Sequence, residues 1–170
     1  MTNVKNSEVI NHVMDSFFHV ISTKTSPAHA WLTLKIIMQE IEYDHDFIKS
    51  VDVVDIEDVK TYIKMSKRNE KEFNIVQVHT DVVDHTNEDL IGKAIQSLAD
   101  KLKKYMGKKA GYHFLREFRD DLGEDYHSII KKMGVDLRLI ELQEDLYGWI
   151  NENYVVEENN DSNIAFIMKK

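Results

Sequence analysis

The stretch SEVINHVMDSFFHVISTKTSPAHAWLTLKIIMQEIE, residues 7–42, decides the fold class. Its apolar residues recur every three or four positions in two runs, 7–22 and 27–42, which is the spacing of one helix face. Between the runs, Ser26 followed by Pro27 is a pair that typically opens a helix. The sequence therefore predicts two antiparallel helices joined by a short turn.

β-branched residues concentrate in the middle of the chain, where they favour strands. Residues 47–54 and 73–83 each predict a strand, and the second would place alternate side chains on opposite faces. Residues 55–68 fit either a short helix or a third strand, and periodicity alone does not decide between them. We therefore expect a small β-sheet in this region.

The C-terminal half returns to helical spacing from Thr86 onward. Residues 86–89 resemble a capping box, and Gly107 is the candidate C-cap of the helix that follows them. Three further helices are predicted, at about 109–121, 124–133 and 136–154. The fold class is therefore α+β and mainly helical: an N-terminal helix pair, a small β-sheet in the middle and a four-helix C-terminal half.

The composition changes near the C-terminus, and this change predicts the domain organisation. Residues 1–156 are predicted to form a single α+β domain. Residues 157–170 are predicted to be an acidic linker, EENND, followed by an apolar tail, IAFIM. Such a tail would add a strand either to this chain's own sheet, which is favoured, or to the sheet of a partner.

The composition also excludes several classes of protein. The 170 residues include no cysteine, which excludes disulfides, zinc–thiolate sites and cysteine nucleophiles. The formal net charge of −8 argues against general nucleic-acid binding. No apolar run approaches the roughly 20 residues of a membrane span, and residues 1–6 lack the apolar core of a secretory signal. We expect a cytoplasmic protein with no membrane partner.

The segment HTDVVDH, residues 79–85, is a candidate site for a divalent metal. Its imidazoles and carboxylates are ligand types that such metals take: His79, Asp81, Asp84 and His85. On a strand, His79 and Asp81 would share a face, and the other two would lie at the strand exit. The alternative, which is favoured, is a polar strand end that helps to cap the next helix.

A basic cluster that follows Gly107 is a candidate anion site, because a helix N-terminus there would add free backbone N–H groups. The candidate ligands are Lys108, Lys109, His113 and Arg116. No phosphate-loop spacing is present. The alternative, again favoured, is a solvated helix face on which Ala110 and Gly111 allow close helix packing.

Three segments, taken together, resemble a family of small archaeal proteins, thaumarchaeal in character, without assigned biochemistry. They are TSPAHA at 25–30, KKAGYHF at 108–114 and MGVDL at 133–137, so the resemblance spans most of residues 7–147. The resemblance implies a cytoplasmic archaeal protein with a link to signal transduction. It implies no catalytic residues.

Three functional hypotheses follow from these patterns. The first is a non-catalytic regulatory or protein-interaction domain, without a cofactor, that binds a protein partner or forms a homo-oligomer. The second is a small metal-dependent hydrolase with His79, Asp81 and His85 on a divalent metal. The third is an anion or nucleotide sensor that uses Lys108, Lys109 and Arg116. The first is preferred because it requires least of the sequence, in which no nucleophile-elbow motif occurs.

Overall fold

Short connections and long helices dominate the computed structural model, which describes residues 4–66, 73–138, 154–158 and 164–168. The helices are α1 (Asn6–Lys24), α2 (Pro27–Glu42), α3 (Ile56–Ser66), α4 (Thr80–Val83), α5 (Glu88–Met106), α6 (Lys108–Leu122) and α7 (Glu124–Lys132), with a 3-10 helix at Asp46–Ser50. The strands are β1 (Val51–Val53), β2 (Val76–Val78), β3 (Tyr154–Glu158) and β4 (Ile164–Met168). The chain divides into two compact units, Met1–Leu137 and Arg138–Lys170. This architecture confirms the mainly helical α+β fold class.

The N-terminal helix pair is confirmed, and its turn has the expected chemistry. Ser26 is the N-cap of α2, where its hydroxyl oxygen accepts a hydrogen bond from His29 N at 3.1 Å, and Pro27 occupies the first helical position. The two helices pack against each other along their apolar faces.

Helix α1 lies at the centre of the first unit, because it contacts α2, β2, α4, α5, α6 and α7. Phe17 of α1 stacks on Phe118 of α6 with ring centroids 4.0 Å apart, and Phe114 lies 6.0 Å away on the same helix. All three rings are fully buried. Each contributes roughly 1.5–3 kcal/mol through burial, and aromatic pairing adds about 0.5–1.5 kcal/mol. This cluster joins the two halves of the unit.

The middle sheet is smaller than the sequence predicts. β1 and β2 pair antiparallel over three residues each, with Asp52 opposite Gln77. Beside this pairing, His79 N donates a backbone hydrogen bond to Ser50 O. The prediction of strand over 47–50 is wrong, since those residues belong to the 3-10 helix. The prediction of strand from Thr80 onward is also wrong, because that residue begins α4. Val83 of α4 is buried, and this packing outweighs the preference of its β-branched side chain for a strand. Residues 56–66 form a helix, which decides the alternative left open above.

The helices after the sheet begin and end close to the predicted residues. Asn87, and not Thr86, caps α5: its side-chain oxygen accepts from Asp89 N at 2.9 Å. Gly107 ends α5 as predicted, with a φ of 85° that favours glycine. The last predicted helix, 136–154, is wrong at both described ends, because residues 136–138 are not helical and Tyr154 begins β3. Its residues 139–153 lie outside the described part of the chain.

Glycines allow the helices of the first unit to approach closely. A Cβ at Gly92 of α5 would collide with the carbonyl of Met133, the residue that caps α7. A Cβ at Gly111 of α6 would lie 2.6 Å from Lys103 O of α5. Close packing at Gly111 is thus confirmed.

In the described ranges, no helix is both long and apolar enough to cross a membrane.

The second unit contains an antiparallel hairpin in which Tyr154 lies opposite Met168 and Glu158 opposite Ile164. β4 therefore pairs within its own chain, as favoured, but its partner is β3. β3 also crosses the predicted boundary after residue 156, and its last two residues are ones predicted to be linker.

Candidate functional site

The predicted metal ligands do not form one site. His79 Nε2 lies 2.9 Å from Asp52 Oδ2 on β1, and His85 Nδ1 lies 2.9 Å from the carbonyl oxygen of Asp81. Because α4 begins at Thr80, the shared strand face on which the metal hypothesis depended is absent. Within the described residues, no three His, Asp or Glu side chains are grouped so that they could hold a metal ion.

Asp84 instead caps α1, a helix far away in sequence. Its Oδ1 accepts a hydrogen bond from Ser7 N at 2.8 Å, and Asn6 Nδ2 donates to Val83 O and Thr86 O. Desolvation opposes ionisation of Asp84, but the hydrogen bonds from Ser7, together with nearby positive charge, lower its pKa below the ordinary value. These contacts fasten the first turn of α1 to residues 83–86.

The predicted anion-binding residues all lie on α6, and the structure places them around its N-terminal half. Lys108 and Lys109 are its first two residues, and their side chains are outside the described part of the structure. His113 and Arg116 are exposed. Of these four residues, His113 lines an opening. His113 therefore borders a groove whose other walls the sequence did not reveal.

That opening, which we call the apolar groove, has a volume of about 640 Å³. It lies where the C-terminal ends of α1 and α5 meet the N-terminal parts of α2 and α6. Its apolar lining is Ile21, Ile36, Ile37, Leu102, Met106 and Ala110, and its polar lining is Lys24, Thr25, His29, Thr33, Tyr105 and His113. Spaces between helices of a bundle are common ligand sites, and this volume is typical of them.

Two side chains that line the apolar groove, Ile36 and Tyr105, are largely exposed. Ile36 is 45% exposed and Leu32, one turn earlier on α2, is 49% exposed. Tyr105 is 60% exposed, and its hydroxyl donates to the Glu40 carboxylate at 2.7 Å, which raises the tyrosine's pKa. Lys24 Nζ is paired with Glu117 at 3.1 Å. The charge of Lys24 at the rim is thus already compensated by a neighbour.

A second opening, the polar cleft, has a volume of about 580 Å³ and lies along another face of α1. The helix contributes His12, Asp15, Ser16, His19 and Ser22, whose spacing of three and four places them on one face. Opposite them are Tyr62 of α3, Phe73 before β2, and Asp121 of α6. The cleft therefore combines titratable, hydroxyl and aromatic side chains.

Hydrogen bonds fix both histidines of the cleft. His19 Nδ1 lies 2.5 Å from Asp121 Oδ1. His12 Nε2 lies 3.0 Å from Leu122 O, and its ring stacks on Tyr126 at 3.8 Å. The histidines are therefore oriented by α6 and α7.

Asp15 is the half-buried acid of the polar cleft. Its Oδ1 accepts a hydrogen bond from Ile75 N at 2.8 Å. Burial raises the pKa of Asp15 from 3.8 to about 6, although the hydrogen bond and His12 act in the opposite direction. Nearby, Ser22 Oγ is buried and has no hydrogen-bond partner among the described residues.

The sequence analysis missed the polar cleft, although one signal was present. His12, Asp15 and His19 form a polar stripe at positions i, i+3 and i+7 on a helix whose other faces are strongly apolar. Such a stripe on an otherwise buried helix indicates a cleft. The residues that close the cleft from the other side, Tyr62 and Asp121, carry no comparable signal.

Comparison of the chain with protein-family models, curated proteins and solved structures finds no match. The resemblance of residues 7–147 to a family of small archaeal proteins stays a prediction.

Proposed function

We propose that the protein is a non-catalytic binding domain whose ligand is an amphipathic molecule with an apolar body and an anionic head. The observation that carries this proposal is the apolar groove, in which six apolar side chains face a space of about 640 Å³. A cavity that is open but lined mainly by apolar side chains is the common form of a small-molecule site. A ligand-responsive regulatory role is consistent with this arrangement.

The apolar body supplies most of the affinity. Each buried methylene contributes about 0.8 kcal/mol, so a ligand with roughly eight to ten buried methylenes gains on the order of 7 kcal/mol. Association costs at least about 4 kcal/mol. The remainder of about 3 kcal/mol, together with about 1–3 kcal/mol from contacts to the charged head, corresponds to dissociation constants from about millimolar to tens of micromolar. Such affinity suits a ligand that the protein senses and releases.

The anionic head is supported by the cationic and histidine side chains of the lining. His29 comes from the first turn of α2 and His113 from the second turn of α6. The first residues of α6, Lys108 and Lys109, are two turns or less from His113 in sequence. The Lys24 ammonium is paired with Glu117, so the α6 residues are the better candidates for the head.

The test is calorimetric titration of the full chain with decanoate, decanol and decyltrimethylammonium below micelle-forming concentrations. We expect decanoate to bind most tightly, and Ala110→Phe to weaken it at least about tenfold, which equals about 1.4 kcal/mol, because the ring would fill the groove. The matched control is Ala28→Phe, since Ala28 is exposed in the first turn of α2 and does not line the groove.

His113→Ala tests the head separately. It should reduce the preference for decanoate over decanol while leaving decanol binding unchanged. Equal binding of decanoate by Ala110→Phe and by the parent protein would refute the proposal, as would the absence of binding by all three decyl compounds.

A protein-interaction domain is the second candidate, because Leu32 and Ile36 form an exposed apolar pair one turn apart on α2. If a second copy of the chain covers this pair, light scattering should show a concentration-dependent dimer, and Leu32→Glu should abolish it. A parent protein that is monomeric at all concentrations would exclude the homo-oligomer.

A further inference from the structure

The polar cleft differs from the apolar groove in chemistry and in position. Asp15, His19 and Ser22 lie on a face of α1 different from that of Ile21 and Lys24, which border the groove. The cleft has two carboxylates, and among its described lining residues there is no lysine or arginine. A ligand that suits one opening would not suit the other.

We propose that the polar cleft is a second ligand site, which binds a small organic cation: an amine or ammonium group on an aromatic or alkyl body. Asp15 is the residue that binds the cationic group, and the rings of Tyr62 and Phe73 bind the body. The volume of about 580 Å³ accommodates a molecule of this size and exceeds what a single ion fills.

Asp15 is the available carboxylate, because the other one is already engaged. Asp121 has His19 at 2.5 Å, whereas the described residues give Asp15 one hydrogen bond, from the Ile75 backbone N–H to Oδ1. The second oxygen of Asp15 can therefore accept from a ligand. A buried carboxylate is stabilised strongly by a cation that replaces the lost water.

Ser22 supplies an independent indication that the cleft holds a polar ligand. Its Oγ is buried at the cleft and lacks a hydrogen-bond partner within the described residues. A buried hydroxyl without a partner is costly, by about 1–3 kcal/mol. A ligand N–H group, or a water held with the ligand, would satisfy it.

The aromatic wall favours a cation over a neutral polar ligand. Tyr62 and Phe73 stack with centroids 4.4 Å apart, and Phe18 lies 5.6 Å from Phe73. Aromatic faces attract cations by roughly 0.5–2 kcal/mol. The net charge of −8 adds a long-range attraction of the same sign.

The pH dependence of binding follows from the groups around Asp15: His12 and His19 of α1, Asp121 of α6 and Tyr62 of α3. Protonation of Asp15 removes its charge, and its pKa of about 6 places this loss below neutral pH. Protonation of either histidine acts in the same direction, because it adds positive charge. Binding of an amine should therefore weaken about tenfold or more between pH 7.5 and pH 5.

The test uses the full chain and three phenyl compounds of similar shape: phenethylamine, 2-phenylethanol and 3-phenylpropionate. At pH 7.5 we expect phenethylamine to bind at least about tenfold more tightly than the other two, and Asp15→Asn to remove that preference. Asp44→Asn is the matched control, because it removes one exposed negative charge away from the cleft.

Asn at position 15 can still accept the Ile75 bond, so Asp15→Asn should fold. A second measurement does not depend on the variant: the Ile75 amide NMR signal of the parent protein should shift on titration with phenethylamine. Ala110→Phe, which fills the apolar groove, should leave this titration unchanged. Equal affinity for amine and alcohol, full affinity in Asp15→Asn, or an unmoved Ile75 signal would each overturn the proposal.

Discussion

At the scale of the residue, Asp15 is a side chain whose charge is unfavourable in its surroundings. Burial raises its pKa from 3.8 to about 6, so the ionised form is less favourable in the folded protein than in the unfolded chain. The protonated form of Asp15 therefore favours the folded protein. This contribution to the unfolding free energy is fully present below pH 3.8 and is lost as the pH rises through about 6. At neutral pH, the charge on Asp15 therefore destabilises the ligand-free protein.

Replacing Asp15 by Asn should therefore stabilise the ligand-free protein at pH 7.5. The full effect of the shifted pKa is about 3 kcal/mol, and partial solvent exposure reduces the expected gain in unfolding free energy to about 1 kcal/mol. At pH 3.5 the gain should be small, because Asp15 is then mostly protonated in both states. Urea denaturation at the two pH values measures the difference. A loss of stability at pH 7.5 would show that the ionised carboxylate is needed for folding.

Asp84 is a second residue whose role could be found only from the structure. Asp84→Ala removes the hydrogen bond to Ser7 N and should lower the unfolding free energy by about 1 kcal/mol, as for other helix caps. Asp81→Ala, on the exposed side of α4, is the control and should change it by less than about 0.5 kcal/mol. Thermal unfolding compares the two. Equal effects would mean that general charge, and not the cap, matters.

At the scale of the element, close approach of α5 to the end of α7 depends on one missing side chain. An alanine within a helix usually stabilises it by up to about 1 kcal/mol relative to glycine. At Gly92, however, the new Cβ would collide with the Met133 carbonyl. The collision involves backbone, which cannot move aside as a side chain can.

Gly92→Ala should accordingly destabilise the protein by roughly 1–3 kcal/mol despite the gain in helix propensity. Ser128→Ala, at an exposed position of α7, is the control and should be nearly neutral. Differential scanning calorimetry measures both melting temperatures. An unchanged or higher melting temperature for Gly92→Ala would show that α5 and α7 separate easily.

The elements also show what could be predicted from the sequence and what could not. Apolar spacing located α1, α2, α5, α6 and α7 to within one or two residues at most ends, because helical periodicity is a local property. Strand length is not local: β2 ends at Val78 because β1 offers only three paired residues. Val82 and Val83, which favour strands by propensity, then join a helix. The groove and the cleft could not be predicted because residues far apart form them.

At the scale of the whole molecule, the division after Leu137 predicts how the chain unfolds. The described core of the first unit, including Phe17, Phe114 and Ile130, lies within residues 1–137. A fragment of residues 1–138 should therefore unfold cooperatively by itself. A fragment of residues 1–122, which lacks α7, should melt at a lower temperature. Circular dichroism measures both, and a non-cooperative 1–138 fragment would contradict the division.

The central position of α1 has a consequence for synthesis of the protein on the ribosome. Phe17 leaves the ribosome about a hundred residues before its stacking partner Phe118, which at roughly 5–20 residues per second is a delay of about 5–20 s. During that interval α1 can pair with α2, but its faces toward α5, α6 and α7 have no partner. The nascent chain therefore presents an apolar helix to solvent for seconds, and a chaperone that recognises such helices would protect it until α6 emerges.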